Sequence, residues 1–144
     1  MKASTRLAQE FLRHALEFRD AADRLWDRKQ RFLFHPTFYC ALHCIELALK
    51  AHLAYAGFGL QKLRSRTLGH DLDALLQAAM KEGTLEKSGL NTSDRRAISW
   101  GGKDYSKKCF EYPEFMVSTH RIGTWLLIAR KLIKSANDLI APQR

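Results

Sequence analysis

The sequence predicts an all-α fold, an up-and-down bundle of about five helices. Apolar residues recur three and four apart through several long segments, which is the stripe of a helix packed along its length. No run alternates apolar and polar with β-branched enrichment, and no Asn-Gly or Asp-Gly pair marks a hairpin, so sheet has no support. The chain has 144 residues, of which 46% are hydrophobic, 27% charged and only 3 are proline. That composition excludes collagen and disordered or low-complexity chains, and the length fits one core, so residues 1–144 are read as a single domain without internal repeats.

The first helix carries Leu7, Phe11, His14 or Ala15, Phe18, Ala21 and Leu25. It is expected to start near Ser4 or Thr5, either of which can cap the first turn, and to end near Arg31, before Phe34-His35-Pro36. The second repeats the spacing at Phe38, Leu42, Ile45, Leu49 and His52 or Leu53, with Ala41, Ala48 and Ala51 allowing a neighbour to approach closely. Gly57 and Gly59 end it, and residues 57–69 read as a basic loop. A third helix runs from Asp71 to about Glu82 through Leu72, Leu75, Leu76, Ala79 and Met80, capped by His70 or Asp71 and stopped by Gly83. The capping cluster Asn91-Thr92-Ser93-Asp94 opens a short fourth helix, expected to pass Ile98 and break at Gly101-Gly102. Ser118 or Thr119 opens the last, where Ile122, Leu126, Ala129, Ile133, Ala136 and Ile140 keep the alternating spacing up to Pro142. Trp125, Leu127 and Ile128 lie off that stripe, which points to a homodimer.

The formal charge is +9, and the pI is near 9.7. The surplus is collected in two places. Residues 61–70 carry Lys62, Arg64 and Arg66 with no acid, and residues 95–113 carry Arg95, Arg96, Lys103, Lys107 and Lys108 against Asp104 and Glu111. Between them, residues 71–94 are net acidic. Such clustering favours an anionic partner, with a nucleic-acid backbone the commonest. Trp100 and Tyr105, among Arg95, Arg96 and Lys103, are the aromatic residues placed to stack on bases. The longest stretch without a formal charge, Phe32 to Ile45, is too short and too broken by Pro36 to span a bilayer, so no membrane association is expected. Lys2, Arg6, Glu10 and Arg13 leave no apolar signal region, and 3 cysteines without a framework fit a reducing compartment, so the cytoplasm is the expected location.

Motifs for several enzyme classes are missing: there is no phosphate loop, dinucleotide fingerprint, serine elbow or paired-histidine zinc motif. Cys40 and Cys44 lie one turn apart beside His43, but a structural zinc needs four convergent ligands, and Cys109, His35 and His120 stand singly. Core packing is the expected role of the two cysteines, and neither a metal nor a cofactor is expected. His43, Glu46, Lys50 and His52 fall along the second helix. Glu46 and Lys50 form the favoured four-apart ion pair, and burial against the first helix would require partners such as Arg13 or Arg24.

The block FYCALHCIELALKAHL, Phe38 to Leu53, followed by a basic loop and GHDLDALLQAA, Gly69 to Ala79, resembles the central two helices of the HEPN domain family. YSKKCFEYP, Tyr105 to Pro113, is similar to the aromatic Tyr-Pro segment preceding the last helix in some members. The resemblance implies a helical domain that dimerises, found in prokaryotic toxin-antitoxin and defence systems, often beside a small nucleotidyltransferase. It also implies association with RNA or nucleotide, since many members are metal-independent ribonucleases using an Arg followed four to six residues later by a His near the last helix. This chain departs from that pattern: no histidine follows Arg95 and Arg96 at that spacing, and no arginine precedes His120 at it. The spacing occurs at Arg64 and His70, between the second and third helices. The chain is therefore expected to bind RNA or nucleotide without the usual catalytic pair, through Lys62, Arg64, Arg66, Arg95, Arg96, Lys103, Lys107 and Lys108. The alternatives are a ribonuclease toxin using Arg64 with His70, or Arg95, Arg96 and His120, and a bundle that binds only protein.

Overall fold

A computed structural model describes residues 3–26, 33–107 and 121–141, and all its regular structure is helical. Six helices follow in order: α1 Ala3–Leu25, α2 Phe34–Tyr55, α3 Leu60–Leu63, α4 Leu72–Lys81, α5 Thr92–Ser106 and α6 Ile122–Ile140. Among the described residues no helix is long and apolar enough to cross a membrane.

Helix α2 is the axis of the bundle. Its side chains are buried nearly all the way round, and it packs against α1, α6, α4 and α5. A helix without a polar face can be stable only when enclosed in this way. The most extensive pairing is with α1, where Ala8, Ala15 and Ala22 are fully buried, as are Ala41, Ala48 and Ala51 on α2. Small side chains on both helices allow the close approach that the α2 alanines predict. Cys44 lies in this core and Cys40 at its edge. Burial pushes both thiols above their ordinary range, Cys44 to about 12, which disfavours the thiolate form.

The helix ends follow local chemistry. Pro36 lies in the first turn of α2, where its missing N–H has no helical acceptor to lose. At the other end Gly57 takes φ +107°, and the N–H groups of Gly57 and Phe58 donate to Ala54 and Leu53 carbonyls, a Schellman closure. Gly83 closes α4 in the same way. Asp71, not His70, caps α4, accepting from the Ala74 amide, and Asn91 with Asp94 forms a reciprocal capping box at α5. Helix α1 closes at Leu25, and the expected extension to Arg31 falls on residues 27–32, outside the described ones. The expected caps Ser118 and Thr119 also lie outside the described residues; α6 begins at Ile122.

Two expectations are corrected. The basic loop after α2 contains the single turn α3. More importantly, α5 does not break at Gly101-Gly102 but continues to Ser106. A Cβ on Gly101 would lie 2.2 Å from Trp125 Cη2, and one on Gly102 would lie 3.1 Å from Leu72 Cβ. The two glycines let α5 seat directly on α4 and against the Trp125 side chain of α6. The packing thereby gained outweighs the cost of about 1 kcal/mol for each glycine in a helix. Trp125 and Ile128 are fully buried within the chain, so of the three residues that pointed to a dimer only Leu127 remains exposed.

Candidate functional site

Two groups of polar residues meet near the C-terminal end of α5. The first is built on Glu46, whose side chain is 1% exposed in the middle of apolar α2. Lys50, one turn along and also buried, donates to Glu46 Oε1 at 2.7 Å. From α5, the Tyr105 hydroxyl donates to Oε2. His70, in the turn before α4, places Nδ1 3.0 Å from Oε2 and 3.2 Å from Oε1. His43 lies 3.4 Å from Oε2 and 2.5 Å from the Tyr105 oxygen. The tyrosine's one proton is given to the carboxylate, so its oxygen accepts from His43 Nδ1–H. Both carboxylate oxygens are thus saturated. Burial alone would raise the Glu46 pKa; His43, whose Nδ1–H also lies near Oε2, with Lys50 and Tyr105, overcomes it and holds the carboxyl down to about 2.

Phe18 packs edge-on against the His43 ring, and Tyr39 stacks on it. The Ser106 hydroxyl donates to the His70 carbonyl at 3.1 Å, fixing that turn to the end of α5. His70 keeps a side chain 67% exposed, so with Nδ1 committed to Glu46 its Nε2 faces solvent. The expected partners Arg13 and Arg24 are not at this site: they pair with Glu10 and Glu17, and with Asp20, on the surface of α1. No hydrogen bond joins Arg64 to His70, and the exposed Arg64 lies at the C-cap of α3. His52 is separate again, in the core, donating from Nε2 to the Leu132 carbonyl at 3.3 Å; burial lowers its pKa and so favours the neutral ring. Among the described residues no group of three or more His, Cys, Asp or Glu is placed to hold a metal. Cys109 and His120 lie outside the described residues.

The second group is the outer face of α5. Arg96, Trp100, Lys103 and Lys107 are exposed at spacings of four, three and four, which align them on one side of the helix and its C-cap. The acids of α5 are absent from this face. Asp104 is 1% exposed, and Asp94 is buried between the Asn91 amide and Lys131, which it meets at 2.7 Å. The outward charge of α5 is therefore wholly positive. Lys103 lies over the Trp100 ring, 4.4 Å from its centroid. Arg95 is not part of the free face, since its guanidinium donates to the Leu90 carbonyl and the Thr92 hydroxyl. Tyr105, expected to stack on bases, is buried with its hydroxyl on Glu46. In the other basic segment Lys62 lies 3.9 Å over the Phe58 ring, and Arg66 is exposed. Lys108 lies outside the described residues.

The alignment of Arg96, Trp100, Lys103 and Lys107 was present in the spacing, but it emerges only if α5 continues through Gly101-Gly102. The Glu46 cluster carried a weaker signal, a carboxylate inside an apolar helix, with partners 24 and 59 residues away that no local pattern connects. No family model, curated protein or solved structure matches the chain.

Proposed function

We propose that this protein is a helical RNA-binding module of HEPN type, which holds single-stranded RNA against the outer face of α5 and does not cleave it. The observation that supports this most is the uncompensated row Arg96, Trp100, Lys103 and Lys107, with the acids of the same helix turned inward. Cations along a helix follow a phosphate backbone, and an exposed indole among them offers a stacking surface. Lys62, Arg64 and Arg66, exposed in the other basic segment, add to the positive charge of the surface. A homodimer and a toxin-antitoxin or defence partner, such as a nucleotidyltransferase, belong to the same proposal and rest on the HEPN resemblance. Fluorescence anisotropy of a labelled RNA tests binding. With about six phosphate contacts, affinity falls roughly several hundredfold to a thousandfold over a roughly fourfold rise in salt. Absence of salt-sensitive binding would leave the protein-only bundle.

One observation favours a second reading as a metal-independent ribonuclease. His70 is oriented through Nδ1 by an ionised Glu46 and presents Nε2 outward, the arrangement of a general base. RNA cleavage in the presence of a chelator, lost in His70→Ala, would establish it; intact RNA supports binding alone.

A further inference from the structure

Between Trp100 and helix α4 lies a surface pocket of about 230 Å³. Its apolar walls are Trp100, 51% exposed, and Met80, 41% exposed; no other large apolar side chains of α4 and α5 are as open to solvent. Gln77, Thr92, Ser99 and the already committed Arg95 form its polar side, and Arg96 lines it as well. The pocket is smaller than the cavities that hold drug-sized ligands, so it suits a single planar ring system. Asp73 flanks it from α4, accepting from the Ser99 hydroxyl at 2.6 Å, and Gln77 Nε2 lies 3.5 Å from the same carboxylate oxygen. At that distance the Gln77 amide is barely engaged and is free to turn to another partner.

We propose that this pocket is a nucleobase subsite selecting a base with an exocyclic amino group, adenine best, on the RNA that α5 binds. The inference rests on the RNA-binding reading above and adds which part of the RNA is recognised and where. Charge sets the orientation of the strand. Phosphates are drawn to Arg96, Lys103 and Lys107 on α5 and repelled by Asp73 on α4, so the backbone follows α5 and the base points toward α4. Lys103 covers the indole from the following turn of α5, while the pocket borders it from the preceding turn, where a base stacks. A base stacked there meets Gln77, whose amide matches the paired acceptor and amino donor of adenine, and Asp73, which accepts from an amino group. Uracil can pair a carbonyl and its imide N–H with the Gln77 amide, but it has no amino group to give Asp73 and sets a carbonyl against that carboxylate.

Competition binding tests this with three probes of similar charge: an RNA octamer of adenine, one of uracil, and inorganic polyphosphate, which carries no base. The adenine octamer is expected to bind about tenfold more tightly than the uracil octamer, the size of one good base contact. It should also quench Trp100 emission, a quench lost in Trp100→Phe, whereas polyphosphate should not. Trp100→Ala should cost about tenfold for the adenine octamer and leave polyphosphate unchanged, because stacking is all that is removed. Asp73→Asn should bring adenine down to the uracil level, whereas Gln77→Ala should weaken both octamers with the same salt slope. Salt-sensitive RNA binding that is equal for all three probes, or unmoved by Trp100→Ala, would overturn the subsite while leaving the RNA-binding reading intact. Failure of every probe to bind would remove both.

Discussion

The Glu46 cluster and the outer face of α5 both hold charged groups, within a few residues of one another in the fold, yet they treat charge in opposite ways. Around Glu46 the donors converge on one carboxylate, which ties α2, α5 and the turn before α4 together. On the α5 face the acids are turned inward and the cations have no partner acids from their own helix. Charge that is matched inside the fold fixes architecture, since burying an unpaired ion costs several kcal/mol. Charge left unmatched on a surface costs little in water and remains available to a polyanion. Substitutions in the two regions should therefore separate stability from binding.

The largest effect is expected at the cluster. Glu46→Gln keeps the shape but leaves buried Lys50 without a counter-charge, and should lower unfolding free energy by about 3–5 kcal/mol, measured by urea titration. The same variant sharpens the pH profile. Glu46 titrates near 4.5 when unfolded and at about 2 when folded, so its stabilising contribution is present above pH 4.5 and is lost as pH falls toward 2. His52, also held below its ordinary 6.5, imposes a separate loss that begins as pH falls through that value, because the unfolded chain takes up the proton first. Glu46→Gln should abolish the lower step and leave the upper one.

Gly101→Ala should cost less, about 1–3 kcal/mol, as the added methyl group drives into the buried Trp125 ring and forces α5 away from it. Thermal denaturation would register it. A neutral result would mean that α5 does not seat on Trp125. The smallest effect on stability is expected on the α5 face itself: Trp100→Ala should change unfolding free energy by no more than about 0.5 kcal/mol, since the side chain is half exposed.

Much of the bundle was legible from local rules. The stripe Ile122, Leu126, Ala129, Ile133, Ala136 and Ile140 is buried throughout, Asn91 with Asp94 caps α5, and Gly57 and Gly83 end their helices. Each of these depends on residues a few positions apart. The continuation of α5 was not legible, because two adjacent glycines lower helix propensity and the contacts that compensate come from Leu72 and Trp125 on other helices. For the same reason local sequence offers Tyr105 as a residue to stack on bases, although its hydroxyl serves Glu46 across 59 residues. Of the candidate site, the cationic residues were readable from composition. Their separation into a free row and a committed Arg95 required the third dimension.

The central claim is that the outward row of α5 is what an RNA backbone touches. The direct measurement is the salt dependence of RNA affinity for the protein and for its Arg96→Ala, Lys103→Ala, Lys107→Ala triple variant, with folding checked by circular dichroism. If three phosphate contacts are removed, the slope of log affinity against log salt should flatten by about 2, with weaker binding at low salt and an unchanged melting temperature. A triple variant that folds normally and retains both the affinity and the slope of the parent would contradict the account.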